Sequence, residues 1–215
     1  MKVKRAIKRY FNLNRYFSQS NINAGELELV EFRKLSINDR YDLKYKAWSR
    51  VYEYPVVLDC ISKYLGRKDI LIHNSSWGFK DVHIVFKEDL ESNFESVVNS
   101  DILRSEEPNT AVLDITVQPP QEYINKFDAV INVSTVEEVD ADHLEIIKNL
   151  LMQVRTGGYL IITFDLPGMQ LRKLEKLFNI NIACDSNDLN GKNSSAPEVR
   201  YSTFNCGLLV VKKIK

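Results

Sequence analysis

The stretch Phe127-Asp128-Ala129-Val130-Ile131-Asn132-Val133-Ser134-Thr135-Val136-Glu137-Glu138-Val139 is an apolar run that ends in small polar residues. A helical pattern follows over residues 140–154, and Thr156-Gly157-Gly158 breaks it. A second apolar run, Tyr159-Leu160-Ile161-Ile162-Thr163-Phe164, then ends at Asp165-Leu166-Pro167. Strand, crossover helix and strand in this order make parallel neighbours in a sheet covered by helices.

Working outward, the same alternation continues. Residues 69–75 read as the first core strand, with helix-period residues Val82, Val85, Phe86 and Leu90 after Gly78. Strands follow over 96–99, ending at Asp101, and over 111–115, containing Asp114. Leu171, Leu174, Leu177 and Phe178 mark another helix, 179–183 a sixth strand and 206–212 a closing strand. The last two strands lack a helix between them and should form an antiparallel edge. Residues 184–203 are a long polar segment of the kind that is functional or disordered in compact domains. Before the first core strand, 44–65 has helical spacing, with Pro55 expected to kink it or start a new helix and Gly66 to stop it. The expected division is 1–43, a basic amphipathic helix and connector, and 44–215, the α/β domain. Glu26 to Phe32 is an alternating patch within the connector, compatible with a short strand or a turn.

Composition sets the outer bounds. A chain of 215 residues suffices for one α/β domain and a short extension, and 44% apolar residues is ordinary for a globular protein. The formal charge is zero, which gives no general argument for nucleic acid. Lys2, Lys4, Arg5, Lys8, Arg9 and Arg15 nevertheless precede the first acid, Glu26. With Val3, Ile7, Tyr10 and Phe11 on the other face, residues 1–17 read either as a solvated helix or as a peripheral contact with an anionic membrane surface. No apolar run approaches the roughly 20 residues that span a bilayer, and the N-terminus lacks the apolar core of a signal peptide. Cys60, Cys184 and Cys206 have no metal-like spacing, His73, His83 and His143 are scattered, and no metal site is expected. The location expected is cytoplasmic, with the inner face of the membrane as the peripheral option.

The strands "FDAVINVSTVEEV" and "GGYLIITFDLP" resemble the fourth and fifth strands of class I S-adenosylmethionine (SAM)-dependent methyltransferases. Arg50-Val51-Tyr52-Glu53-Tyr54-Pro55 resembles an "R-x-x-E-Y-P" segment ahead of the first strand in some small bacterial members. The resemblance covers residues 44 to the C-terminus. It implies a Rossmann-like seven-stranded, mostly parallel sheet with helices on both faces, an antiparallel C-terminal strand, and SAM as cofactor.

In such sheets ligands bind beyond the carboxyl ends of the strands, where strand order reverses. The family's loop after its first strand is an acid followed by G-x-G-x-G. Here Ile72 stands where the acid belongs, Asn74 and Ser76 replace two glycines, and Gly78 alone matches. Asn can adopt the left-handed region at modest cost and Ser is small, whereas Trp77 would obstruct the pocket if it pointed inward. The resemblance implies Asp101 for the ribose hydroxyls, Asp114 and Ile115 for adenine, and Ser134 beside the methyl group. An exposed loop Asp, a turn role for Asp114 and a plain strand-to-helix turn are the competing readings. Glu137, Glu138 and Asp165 are candidate bases for a hydroxyl acceptor. Glu137 and Glu138 stand where many members of that family have Glu-His, so the resemblance gives no His base there, and His143, a helical turn later, reads as an exposed helix residue.

Two functions of different class follow. One is a SAM-dependent methyltransferase for a small polar, sugar-type or glycan acceptor, in surface-glycan synthesis. The other is an inactive methyltransferase-like scaffold or partner subunit that binds another protein, favoured by the eroded glycine loop. A nucleotide-sugar enzyme is less well supported, because no G-x-x-x-x-G-K-[ST] or intact G-x-G-x-x-G is present.

Overall fold

In a computed structural model, residues 24–35, 38–45, 49–78, 81–103, 110–166, 168–180 and 205–215 are described. The basic segment 1–17 and the polar segment 184–203 lie outside them. Seven strands form one sheet: β1 (Leu27–Lys34), β2 (Leu71–Ser75), β3 (Ser96–Asp101), β4 (Thr110–Val112), β5 (Phe127–Val133), β6 (Val154–Asp165) and β7 (Cys206–Lys213). Their order is β1-β7-β6-β5-β2-β3-β4. The strands β4, β3, β2, β5 and β6 are mutually parallel, and β7 runs against both β6 and β1. Helices α1 (Arg50–Leu65) and α2 (Asp81–Asn93) cover one face, and α3 (His143–Gln153) and α4 (Leu171–Phe178) the other. The expected Rossmann-like architecture is therefore present. Among the described residues no helix is long and apolar enough to cross a membrane.

The sheet differs from expectation at its edge. A hairpin of the last two strands was expected, but Asn179 is the left-handed cap of α4, and 181–183 lie outside the described residues. The outer neighbour of β7 is instead β1, from the segment read as a connector. Its alternation is blurred by a register irregularity between Leu29 and Glu31, and a β-bulge of this kind spoils the period-2 signal.

α1 is a continuous helix through Pro55. A proline cannot donate to the carbonyl four residues back. That carbonyl, Val51 O, accepts instead from the backbone N–H of Asp42 at 2.8 Å, so no buried acceptor is stranded. The helix closes on Gly66, at φ 64°. Its first turn is buried on all sides, Arg50 and Glu53 included. Every side chain of β5 is buried, as expected of a central parallel strand. Ala129, Ile131 and Val133 pack towards α1, and Phe127 and Val130 towards α3. β6 begins earlier than expected and absorbs the Gly157-Gly158 break as an irregularity, with Gly157 at φ 80°.

Candidate functional site

Strand order reverses between β2 and β5: β2 continues to β3 on one side, and β5 leads away to β6 on the other. The loop leaving β2 at this point is shaped by Ser76, at φ 58°, and Gly78, at φ 84°. Left-handed backbone suits glycine and costs a serine roughly 1 kcal/mol or more. A Cβ on Gly78 would lie 2.8 Å from the His83 ring, which is itself held by the Tyr54 hydroxyl at 2.5 Å. Gly78 therefore needs to be glycine on two counts. The Gly78 N–H donates to Asp101 Oδ2 at 3.1 Å, and Leu103 N–H to Asp101 Oδ1 at 3.0 Å. The buried carboxylate at the end of β3 thus fixes the loop after β2. Trp77 does not obstruct this site. It is buried, with Lys87 Nζ of α2 at 5.9 Å from its ring.

The other residues expected to hold the cofactor fare differently. Asn74 is a strand residue rather than a loop residue, and its Nδ2 donates to Asn99 Oδ1 at 2.9 Å. Asn99 in turn donates to Glu91 Oε1 of α2 at 2.9 Å, so Asn74 ties the two strands to that helix. Asp114 lies beyond the end of β4 and adopts the turn role, accepting from Thr116 N–H at 2.8 Å and Thr116 Oγ1 at 2.7 Å. Ile115 packs in the core with Phe127 and Ile146. Ile102 directly follows Asp101 and is 60% exposed, a feature of the fold that no letter in the sequence announces.

Beyond β5 and β6 the chain gathers a second set of groups. Ser134, at φ 41°, donates its hydroxyl to Glu53 Oε1 in α1. Arg50 donates to Glu53 Oε2 and, at 3.0 Å, to Ser49 Oγ. Burial pushes the Glu53 carboxyl up, but Arg50 and the Ser134 hydroxyl outweigh it, and the pKa lies below the ordinary value. Glu53 is therefore an ionised carboxylate with no exposure at all. Arg50 and Glu53 belong to the quoted R-x-x-E segment, yet only the fold reveals that they reach the ends of β5 and β6.

Glu137 sits in a short turn, Val136–Glu138, and is buried. Its Oε1 accepts the Asp165 N–H at 2.7 Å, and its Oε2 is buried with no hydrogen bond among the described residues. Burial, together with the nearby Glu53 and Asp165 charges, raises it to about 8 despite that amide. Asp165 is also raised, by burial first, although Cys206 Sγ donates to its Oδ1 at 3.0 Å. Glu138, the third expected base, is exposed. His143 is not exposed as expected. It is buried at the start of α3, where its Nδ1 accepts the Gln170 N–H at 3.2 Å and its Nε2 faces Val139 O at 3.3 Å. That pairing fixes the neutral tautomer with the proton on Nε2. Among the described residues no group of His, Cys, Asp and Glu is arranged to hold a metal ion.

A polar cleft of about 380 Å³ opens elsewhere, between α1, α2 and the 40–45 segment. It lies towards the C-terminal end of α1, away from the carboxyl ends of the strands. Arg40 and Lys44 on its rim are paired with Asp59 and Asp89, both at 2.8 Å. It is not the site described above.

No protein-family model matches the chain, and a search of characterised protein sequences finds none similar to it. Solved structures do share its fold. The 1,6-didemethyltoxoflavin-N1-methyltransferase of Burkholderia thailandensis is 12% identical, with a TM-score of 0.50 over 76% of this chain and 79% of that one. The [4+2]-cyclase SpnF is 12% identical, with a TM-score of 0.50 over 83% and 88%. A complex of the Haloferax volcanii Trm112 methyltransferase activator with a putative methyltransferase gives 10% and 0.50 over 76% and 90%. The likeness is one of fold: the chain has the Rossmann-like frame of class I SAM-dependent methyltransferases.

Proposed function

We propose that the protein is a SAM-dependent methyltransferase for a small polar or sugar-type acceptor, with surface-glycan synthesis as its setting. The observation that carries this reading is the loop at the reversal of strand order. Ser76 and Gly78 are both left-handed there, and the loop is pinned by the carboxylate at the end of the next strand. Left-handed backbone at two alternate positions is what a G-x-G loop would be expected to allow, here with one glycine. The B. thailandensis relative in fold was crystallised with S-adenosylhomocysteine.

SAM supplies a methyl group already activated on a sulfonium, so alignment and exclusion of water are what the protein adds. Ser76 and Gly78 would lie against its methionine part. Asp101 has lone pairs left after taking two amides and would accept from the ribose hydroxyls. Ile102 would offer an apolar surface to adenine, with Asp114 within the same rim. Asn74 would support the loop from below by tying β2 and β3 to α2, while Ile115 packs in the core on the α3 face. Ser134 would stand beside the methyl group, and Glu137, Asp165 and Glu138 would line the acceptor side. Glu137 is the best placed of these to accept a proton, because near neutrality it is poised between its two forms.

Calorimetric titration of the full chain with S-adenosylhomocysteine tests the reading, and micromolar binding is expected. A second reading, an inactive scaffold or partner subunit, is favoured by one feature: both Asp101 oxygens already hold backbone amides. Absence of binding at millimolar ligand would select it.

A further inference from the structure

Three carboxylates, Glu53, Glu137 and Asp165, meet one guanidinium, Arg50, at the carboxyl ends of β5 and β6. Arg50 is committed to Glu53, so among the described residues the other two lack a cation of their own. The remaining neighbours are the Cys206 thiol on β7 and the exposed Glu138 carboxylate on the Glu137 turn. A buried acid beside a half-buried one, with no cation of its own, cannot ionise cheaply, and a proton takes the place of the missing cation. Glu137 Oε2 is the independent sign of an absent partner. It belongs to a residue more than nine-tenths buried, whose other oxygen takes the Asp165 N–H, and it finds no hydrogen-bond partner among the described residues. Asp165, Ser134 and Thr135 are only partly buried and give the cluster its opening to solvent.

We infer that Glu137 and Asp165 form a subsite for a protonated amine, and that the acceptor carries this amine. The inference rests on the methyltransferase reading for the word acceptor, but the amine subsite stands apart from it. An ammonium group would donate to Glu137 Oε2 and to the second Asp165 oxygen, and Glu137 would release its proton to solvent as the cation enters. Once ionised, the same carboxylate takes one proton from the ammonium nitrogen. The nitrogen keeps the electron pair of that N–H bond as the lone pair a nucleophile needs. A neutral hydroxyl offers neither the charge nor this exchange.

The test uses the full chain with carboxyl-labelled glutamate, followed by NMR as pH is varied. The probe is methylammonium chloride at tens of millimolar, against sodium chloride at equal ionic strength. The Glu137 resonance is the one that Glu137→Gln removes. Methylammonium should lower its midpoint by about half a pH unit or more beyond the effect of sodium, a threefold change in proton affinity. Asp165→Asn should shrink that difference. Equal midpoints in the two salts would overturn the inference, as would a methylammonium effect untouched by Asp165→Asn. If Glu137→Gln does not fold, the glutamate carboxyl whose midpoint lies far above the ordinary range marks Glu137, and the comparison of the two salts on the unaltered chain still decides. Failure to bind S-adenosylhomocysteine would sink the methyltransferase reading and leave the amine subsite to be judged on the methylammonium result alone.

Discussion

Glu137→Gln should change stability in a way that depends strongly on pH and reverses the usual cost of a core substitution. Folded Glu137 holds its proton to about pH 8, whereas the unfolded chain releases it near the ordinary 4.5. Between those values the unfolded state binds fewer protons, so this group makes stability fall as pH rises. Linkage over pH 5 to 8.5 gives a loss of roughly 3–4 kcal/mol from this one carboxyl, since each tenfold difference in proton affinity is worth about 1.4 kcal/mol. Glutamine keeps an oxygen for the Asp165 N–H and cannot ionise, so the loss should vanish. The assay is urea unfolding of both proteins at pH 5 and at pH 8.5. The variant should gain about 3 kcal/mol on the parent between the two pH values, whatever its offset at pH 5. A difference between variant and parent that stays the same at both pH values would refute a buried, proton-holding Glu137, and the amine subsite with it.

Asp101→Ala should weaken S-adenosylhomocysteine binding by about 1–3 kcal/mol in calorimetry, the worth of charge-assisted hydrogen bonds, and unchanged affinity would remove Asp101 from the site. His73 is fully buried, with Ser100 Oγ at 2.8 Å from Nε2, and burial lowers its pKa to about 4. The unfolded chain protonates near 6.5, so this group costs stability as pH falls from 6.5 towards 4. His73→Phe, which can keep the stacking on Phe127, should flatten the acid limb of the stability profile by roughly 2–3 kcal/mol; an unchanged limb would count against a buried neutral imidazole. Gly207→Ala would place a Cβ 2.5 Å from the Phe164 ring and should cost about 1–3 kcal/mol in the same urea assay.

The central strands were legible because burial on both faces leaves a plain mark. A run such as Phe127–Val133 has no polar face to confuse with a helix, and the crossover helix before the next strand then dictates a parallel pair. The edge was not legible. β1 is mostly half-buried, with apolar side chains reaching both faces of the sheet, a bulge in its middle, and charged Glu31 and Arg33 paired to each other at 2.5 Å. Those charges suit an edge strand and make the segment read as a connector. Its pairing with β7 spans nearly the whole chain, and no local pattern encodes a contact at that separation.

The acceptor side was hidden for a different reason. Glu137 and Asp165 were legible as candidates because each ends a strand-like run, but their state depends on Glu53, which arrives from a helix more than eighty residues away in sequence. In sequence Glu53 is one polar letter of the R-x-x-E-Y-P segment with apolar neighbours around it, and nothing local says which strand ends it meets. The fold buries it completely and gives it Arg50, and the charge so fixed helps hold the proton on Glu137. The loop after β2 teaches the converse. Its letters look eroded because the glycine pattern is a proxy for backbone conformation, and Ser76 adopts that conformation without the letter. What a glycine would have contributed besides its φ is room, and the Ser76 side chain takes some of that room. Ser76→Gly should therefore tighten S-adenosylhomocysteine binding if the cofactor lies against this loop. The same substitution should leave affinity unchanged if the loop is only a turn, since the backbone it needs is already formed.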